Sequence, residues 1–233
     1  MADRSHDNIS VPRIQGAVKP RFGEVRIRDR GRLPHWEKEE GLYFITFHLA
    51  DSLPRQALEE MFERNRILAA AKRAGARLTP AQETFAAKYS QKRIEEYYDR
   101  GIGECLLNDS RIAEAMAEAL RYWHGKRYRL VAWCIMPNHV HVVCRLLPGH
   151  NLSDVLRGWK GYSAREANRI LGRKGRIWRR EYYDRLIRGE GEFQRAVQYV
   201  LSNPERAGLR KWSWVWSEGR EALSTAGQET GGT

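Results

Sequence analysis

The sequence predicts an α+β fold: a ferredoxin-like, RRM-like antiparallel sheet with helices packed on one face and a helical insertion after the first strand. Three observations predict it. "GLYFITFHL" (41–49), "RYRLVAWCIM" (127–136) and "HVHVVCRLL" (139–147) are rich in β-branched and aromatic residues and read as strands. Helix-type stretches separate the first strand from the second and follow the third, and the element order strand–helices–strand–strand–helix–strand–helix suits a split β-α-β sheet. Pro137-Asn138 lies between the second and third strands and predicts a tight hairpin.

Each element has its own signal. In the first strand Tyr43, Ile45, Phe47 and Leu49 alternate with Phe44, Thr46 and His48, so the two sets face opposite ways. Two helices are expected between Pro54 and Arg100, broken near "GARLTP", with Thr79-Pro80-Ala81-Gln82 as a cap that sets proline at the first helical position. Asp109 or Ser110 starts "SRIAEAMAEALRYW", which ends by Gly125. Ser153 is the expected cap of a helix running to about Leu171, buried along Leu152, Leu156, Trp159, Ser163, Ala167 and Ile170. "GRIWRREYYDRLI" (175–187) reads as a strand and "EGEFQRAVQYVLSNP" (190–204) as a final helix stopped by Pro204. This divides the chain into a basic N-terminal arm (1–40), a folded domain (41–212, with the insertion at about 54–100) and a flexible C-terminal tail (213–233).

Composition narrows the function. The 233 residues are 42% hydrophobic, enough for a buried core, and no apolar run approaches the ~20 residues that span a bilayer. With no apolar leader in "MADRSHDNIS", the expectation is a cytoplasmic, nucleoid-associated protein without a membrane partner. Cys105, Cys134 and Cys144 form no CxxC, which argues against a disulfide framework or a zinc ribbon. The net charge of +12 points to a polyanionic partner. Eight of those net positive charges fall between Arg157 and Arg188, interleaved with Trp159, Tyr162, Trp178, Tyr182 and Tyr183. Cations beside flat rings are the composition of a single-strand binding surface.

"CIMPNHVHVVC" (134–144) carries the chemistry. Residues two apart on a strand share a face, so His139 and His141 stand side by side while Val140, Val142 and Cys144 turn to the core. Two adjacent imidazoles on an open sheet face can chelate a divalent cation. On the last helix, Phe193, Ala196, Val197, Val200 and Leu201 form the buried face. Tyr199 lies off that face, and Asn203 stacks beside it four residues on. A hydroxyl nucleophile, a metal site and a nucleic-acid groove are the parts of phosphodiester transfer.

"MPNHVHVV", "GWKGYSAR", "IWRREYYDRLIR" and "AVQYVLSNPERAGL", in this order, resemble the REP-associated tyrosine transposases, relatives of the IS200/IS605-type single-strand transposases in the HUH superfamily. The resemblance spans about Gly41 to Trp212 and implies an HUH-endonuclease type of sheet. It implies His139, His141 and Asn203 as ligands of Mg²⁺ or Mn²⁺, and Tyr199 as the nucleophile on single-stranded DNA beside a REP-type hairpin. It implies a 5′-phosphotyrosine, and that Tyr182 and Tyr183 are not catalytic. Lys160, Trp178, Arg179, Arg180 and Arg185 are the candidates for DNA contact. The insertion is longer than compact transposases need and leaves a monomer and a homodimer both open. A non-catalytic single-strand binding module on the same fold is the alternative, and a phosphodiesterase that uses water instead of tyrosine is a third reading.

Overall fold

The computed structural model describes residues 25–29, 34–88 and 100–218. Its centre is a five-stranded antiparallel sheet. In chain order the elements are β1 (Val25–Asp29), β2 (Pro34–Lys38), β3 (Leu42–His48), α1 (Arg55–Ala74), α2 (Pro80–Lys88), α3 (Ser110–Tyr122), β4 (Tyr128–Met136), β5 (His139–Leu146), α4 (Leu152–Ile170), β6 (Tyr183–Leu186), α5 (Glu190–Arg206) and β7 (Val215–Ser217). The main sheet runs β6-β3-β5-β4-β7, every pairing antiparallel. Its first four strands have the ferredoxin-like order, and the fold is the α+β class that the element order predicts. Two places depart from the expected division. β1 and β2 pair with each other within the expected basic arm, and β7 extends the sheet beyond residue 212 into the expected tail. The expected tail from residue 219, most of the arm, and residues 89–99 of the insertion lie outside the described residues.

Local rules place most element ends. Thr79 and Gln82 form a reciprocal capping box: Gln82 N–H donates to Thr79 Oγ1 at 3.3 Å and Thr79 N–H donates to Gln82 Oε1 at 2.9 Å. The Asp109 carboxylate caps α3 by accepting from Arg111 N–H. For α4 the cap is Asn151 rather than Ser153: Asn151 Oδ1 accepts from Asp154 N–H, and the Ser153 hydroxyl donates to that same oxygen. Pro204 does not stop α5, which continues to Arg206. A proline in a last turn removes one hydrogen bond near the end of the ladder, and packing of the turn outweighs that loss.

Helices cover both faces of the sheet, not one. On the first face Tyr43, Ile45 and Phe47 of β3, Leu49 just after it, and Val140, Val142 and Cys144 of β5 pack against α3 and α4. On the second face Val131, Ala132, Cys134, Met136 and Val143 pack against Phe193, Val197, Val200 and Leu201 of α5. A register shift between Leu130 and Ala132 breaks the alternation of β4, so Val131 and Ala132 both meet α5. Burial of these side chains, worth about 1.5–3 kcal/mol for each large one, fixes α5 across the second face.

The first-face core carries a buried polar chain. Trp159 Nε1–H donates to Tyr128 Oη at 2.7 Å, and that hydroxyl donates to the Leu120 carbonyl at 2.8 Å. Tyr128 is fully buried, and burial pushes its phenol up to about 12, so it remains a donor. Tyr128→Phe leaves the Trp159 N–H without its acceptor. Chemical denaturation of this variant is expected to show a loss of about 2 kcal/mol, the usual penalty for a stranded buried donor.

Candidate active site

The second face of the sheet gathers the polar residues that the sequence singles out. β5 pairs with β3 so that His139 stands opposite His48 and His141 opposite Thr46. His139 and His141 are each 1% exposed, because α5 closes over a face that was expected to be open. Their Nε2 atoms lie 2.9 Å apart. Two nitrogens at roughly 2.1 Å from one cation, about 90° apart, would be separated by about 3.0 Å. The pair is therefore spaced as ligands of a single ion.

The opposite edges of both rings are held. His139 Nδ1 is 2.7 Å from Asn138 Oδ1, and His141 Nδ1 is 2.9 Å from Thr46 Oγ1. An amide oxygen only accepts, so His139 carries its proton on Nδ1 and offers a lone pair at Nε2. Asn138 is itself oriented by donating from Nδ2 to the Ile102 carbonyl at 3.0 Å. The loop that presents this carbonyl turns through Gly101 (φ +65°) and Gly103 (φ +98°) and is tied to Asp51, whose carboxylate accepts from Glu104 N–H at 2.7 Å. A Cβ at Gly103 would meet Asp51 at 2.8 Å, so the loop needs glycine there. Outer partners that fix ring orientation in this way are characteristic of metal-binding histidines.

Burial drives the electrostatics. It lowers His139 to about 3 and takes His141 well below the ordinary histidine value, aided there by the charges of His139 and Arg206. His48, its ring 5.5 Å from that of His139, is lowered mainly by burial and then by His139 and Arg179. All three imidazoles are thus held in the neutral, ligand-competent form. Cys144 faces the other core, with its thiol pushed up to about 12 by burial, which excludes it as a partner of the histidines. Among the described residues no group of three His, Cys, Asp or Glu side chains comes together as a metal site, so a third protein ligand would have to be of another type.

α5 supplies two such groups. The half-buried Tyr199 ring stands edge-on to His141 at 5.2 Å between centroids and edge-on to Phe44 at 5.6 Å. Phe44 also stacks on His141 at 5.8 Å, so the phenol is wedged between the histidine strand and its neighbour. One turn on, Asn203 is fully buried, and neither its Oδ1 nor its Nδ2 finds a hydrogen-bond partner among the described residues. An unsatisfied buried amide is costly, and its occurrence on the Tyr199 edge of the helix is a mark of a ligand site. His139, His141 and Asn203 fit a divalent cation by donor chemistry and by this orphaned amide.

The DNA-contact candidates separate. Trp178 is 5% exposed, packed edge-on to Phe47 at 5.0 Å, and its indole N–H donates to Ser163 Oγ at 2.9 Å. It is a core residue and cannot stack on a base. Lys160 Nζ donates to the Arg180 carbonyl at 3.1 Å, and burial brings its ammonium down to about 8, so it tethers the chain before β6 to α4. Arg185 is held by Glu192 of α5. Arg179 follows Trp178 onto the His48 face, donates its N–H to the His48 carbonyl and bears electrostatically on that histidine. Arg180 is exposed. Arg157, Arg169 and Arg173 are engaged by Asp154, Glu166 and Glu104. The basic segment is therefore spread over several surfaces. Thr46, Phe44, Asn138 and Arg206 are the site residues that sequence reasoning missed.

Residues 104–203 match the family model described as "Transposase IS200 like", a segment holding both histidines, Tyr199 and Asn203. Among solved structures, one described as a REP-associated tyrosine transposase bound to a REP hairpin is 17% identical, with a TM-score of 0.45 over 82% of this chain and 84% of that one. A candidate transposase from Deinococcus radiodurans R1 is 14% identical, with a TM-score of 0.30 over 80% of this chain and 98% of that one. No curated protein matches the chain in sequence.

Two variants test these assignments. Thr46→Val keeps the side-chain shape and removes the outer partner of His141, so Mn²⁺ affinity followed by EPR is expected to fall at least about tenfold with little change in the melting curve. Trp178→Phe is expected to lower the melting temperature through the lost Ser163 bond while leaving affinity for hairpin DNA unchanged in fluorescence anisotropy.

Proposed function

We propose that this chain is a divalent-cation-assisted strand transferase that cuts single-stranded DNA beside a REP-type hairpin and holds the 5′ end on Tyr199. The observation that carries this reading is a pair of neutral imidazoles 2.9 Å apart with a phenol packed on one of them and, one turn along the same helix, a buried amide without a hydrogen-bond partner among the described residues. The match of residues 104–203 to the IS200-like transposase model supports the same reaction class. A water-using phosphodiesterase gives no reason for the phenol at this position. A binding module of the RRM type would use exposed aromatics on the sheet, whereas here α5 covers that face and Trp178 is in the core.

His139, His141 and Asn203 would hold Mg²⁺ or Mn²⁺, which when bound would supply charge neutralisation at the scissile phosphate. Imidazole ligands favour Mn²⁺ at least as well as Mg²⁺. Tyr199 Oη gives up its proton as it attacks phosphorus, the P–O3′ bond breaks, and the leaving oxygen takes up a proton to become a 3′-hydroxyl, so no net proton is gained or lost. The phosphotyrosine retains the ester energy, so attack by another 3′-hydroxyl reverses the step without ATP. Asn138 and Thr46 keep the two ligand rings aimed, and Phe44 holds the attacking ring against His141. Such positioning is worth several orders of magnitude in rate when the reacting atoms are already near contact.

The test is a covalent adduct on a denaturing gel, with the labelled hairpin substrate and Mn²⁺. Wild-type protein is expected to form an adduct that maps by mass spectrometry to Tyr199. Tyr199→Phe should abolish it without loss of hairpin affinity, and His139→Ala with His141→Ala, or chelation by EDTA, should remove cleavage. An adduct that persists in Tyr199→Phe and disappears in Tyr183→Phe would overturn the assignment of the nucleophile. Tyr183 lies on the same face, opposite Thr46, and is the direct competitor.

A further inference from the structure

The last turn of α5 carries a cation that the proposed chemistry does not use. Arg206 lies seven residues after Tyr199 and three after Asn203, so the three share one helix edge. Its guanidinium carbon is 5.0 Å from the Tyr199 ring centroid, and its charge is felt at His141. Arg206 is exposed, and among the described residues no carboxylate forms an ion pair with it, unlike Arg157, Arg169, Arg173 and Arg185. A basic residue in the last turn of a helix complements the helix dipole. That accounts for a cation at this end of α5, but not for a guanidinium turned over the tyrosine.

We propose that Arg206 is the anion subsite of this centre: it binds a non-bridging oxygen of the scissile phosphate, and afterwards of the phosphotyrosine, from the solvent side of the Tyr199 ring. This rests on the reading of Tyr199 as nucleophile. Charge and shape both point to it. The imidazoles are neutral and buried, Phe44 and His141 stand edge-on to the phenol, and Arg206 lies over its ring. A phosphodiester arriving there meets a guanidinium with no carboxylate ion-paired to it among the described residues, and its planar fork matches two phosphate oxygens better than an ammonium does. Arg206 would thereby hold phosphorus over the tyrosine oxygen and disperse charge on the oxygen that a cation at the histidines does not reach.

The experiment pairs the protein change with a change in the phosphate. Arg206→Gln and Arg206→Lys are compared with wild type in single-turnover adduct formation, on a hairpin substrate bearing either the natural phosphodiester or each diastereomer of a methylphosphonate at the cleaved position. A charge-assisted hydrogen bond lost in the transition state slows the reaction by about 100-fold. Arg206→Gln is therefore expected to react about 100-fold more slowly on the phosphodiester but within about threefold of wild type on one methylphosphonate diastereomer. Arg206→Lys should fall between, and all three proteins should melt alike. Equal slowing on every substrate would make Arg206 a brace for the tyrosine and overturn the proposal. A second readout needs no cleavage: the Nε–H resonance of Arg206, identified by its absence in Arg206→Lys, is followed by NMR as hairpin DNA is added. A shift is expected, and no shift overturns the proposal even if the variants are slow. A shift in a protein that forms no Tyr199 adduct would instead sink the strand-transfer reading and leave the subsite standing.

Discussion

The site depends on one constraint, the register of β5 against β3. The pairing of His139 with His48 and of His141 with Thr46 decides which face the two imidazoles occupy and what stands behind them. A slip of one residue would send both rings into the aliphatic core beneath α3 and α4 and turn Val140 and Val142 toward α5. Val140, Val142 and Cys144, all fully buried on the first face, make such a slip costly. The hydrophobic core thus sets the geometry of the polar centre, although it does not touch it.

This register produces a polar cluster that folding alone would not favour. Two buried imidazoles, a buried amide with both atoms unpartnered and a half-buried phenol lie beneath or along α5, where aliphatic side chains would pack more cheaply. Part of that cost is offset by the hydrogen bonds that the two rings share with Asn138 and Thr46. The Asn203 amide atoms find no hydrogen-bond partner among the described residues, which is the usual signature of a place prepared for a ligand and held ready by its surroundings. The loop at Gly101–Cys105 matters for the same reason: it is far from His141 in sequence, yet it orients Asn138, which orients His139.

Much of this was legible in the residues. Alternation in "GLYFITFHL" and "HVHVVC" assigned the correct faces along β3 and β5, because both strands keep strict period two. The apolar stripe of α5 left Tyr199 outside it, as the structure also does. Other features were not readable, for physical reasons. The bulge at Val131 breaks periodicity without a glycine or proline to announce it. α5 crosses to the second face because β4 is apolar there as well (Val131, Ala132, Cys134, Met136), and strand composition does not say which helix covers which face. Trp178 resembled a stacking residue since it sits among cations, yet its neighbours alternate around it and the indole points to Ser163. Thr46 and Asn138 carry no signal of their own in one sequence, because a threonine in a strand and an asparagine after proline are ordinary there.

If the histidine pair, Asn203 and Tyr199 form a single centre, one cation should touch three of them and lie beside the fourth. The most direct measurement is anomalous diffraction from crystals of the Tyr199→Phe variant grown with Mn²⁺ and hairpin DNA. One manganese peak is predicted roughly 2 Å from both Nε2 atoms of His139 and His141 and from Asn203 Oδ1, with a DNA phosphate oxygen completing the shell on the side of residue 199. A manganese bound elsewhere, or at the histidines with Asn203 turned away and no phosphate near residue 199, would contradict a single centre.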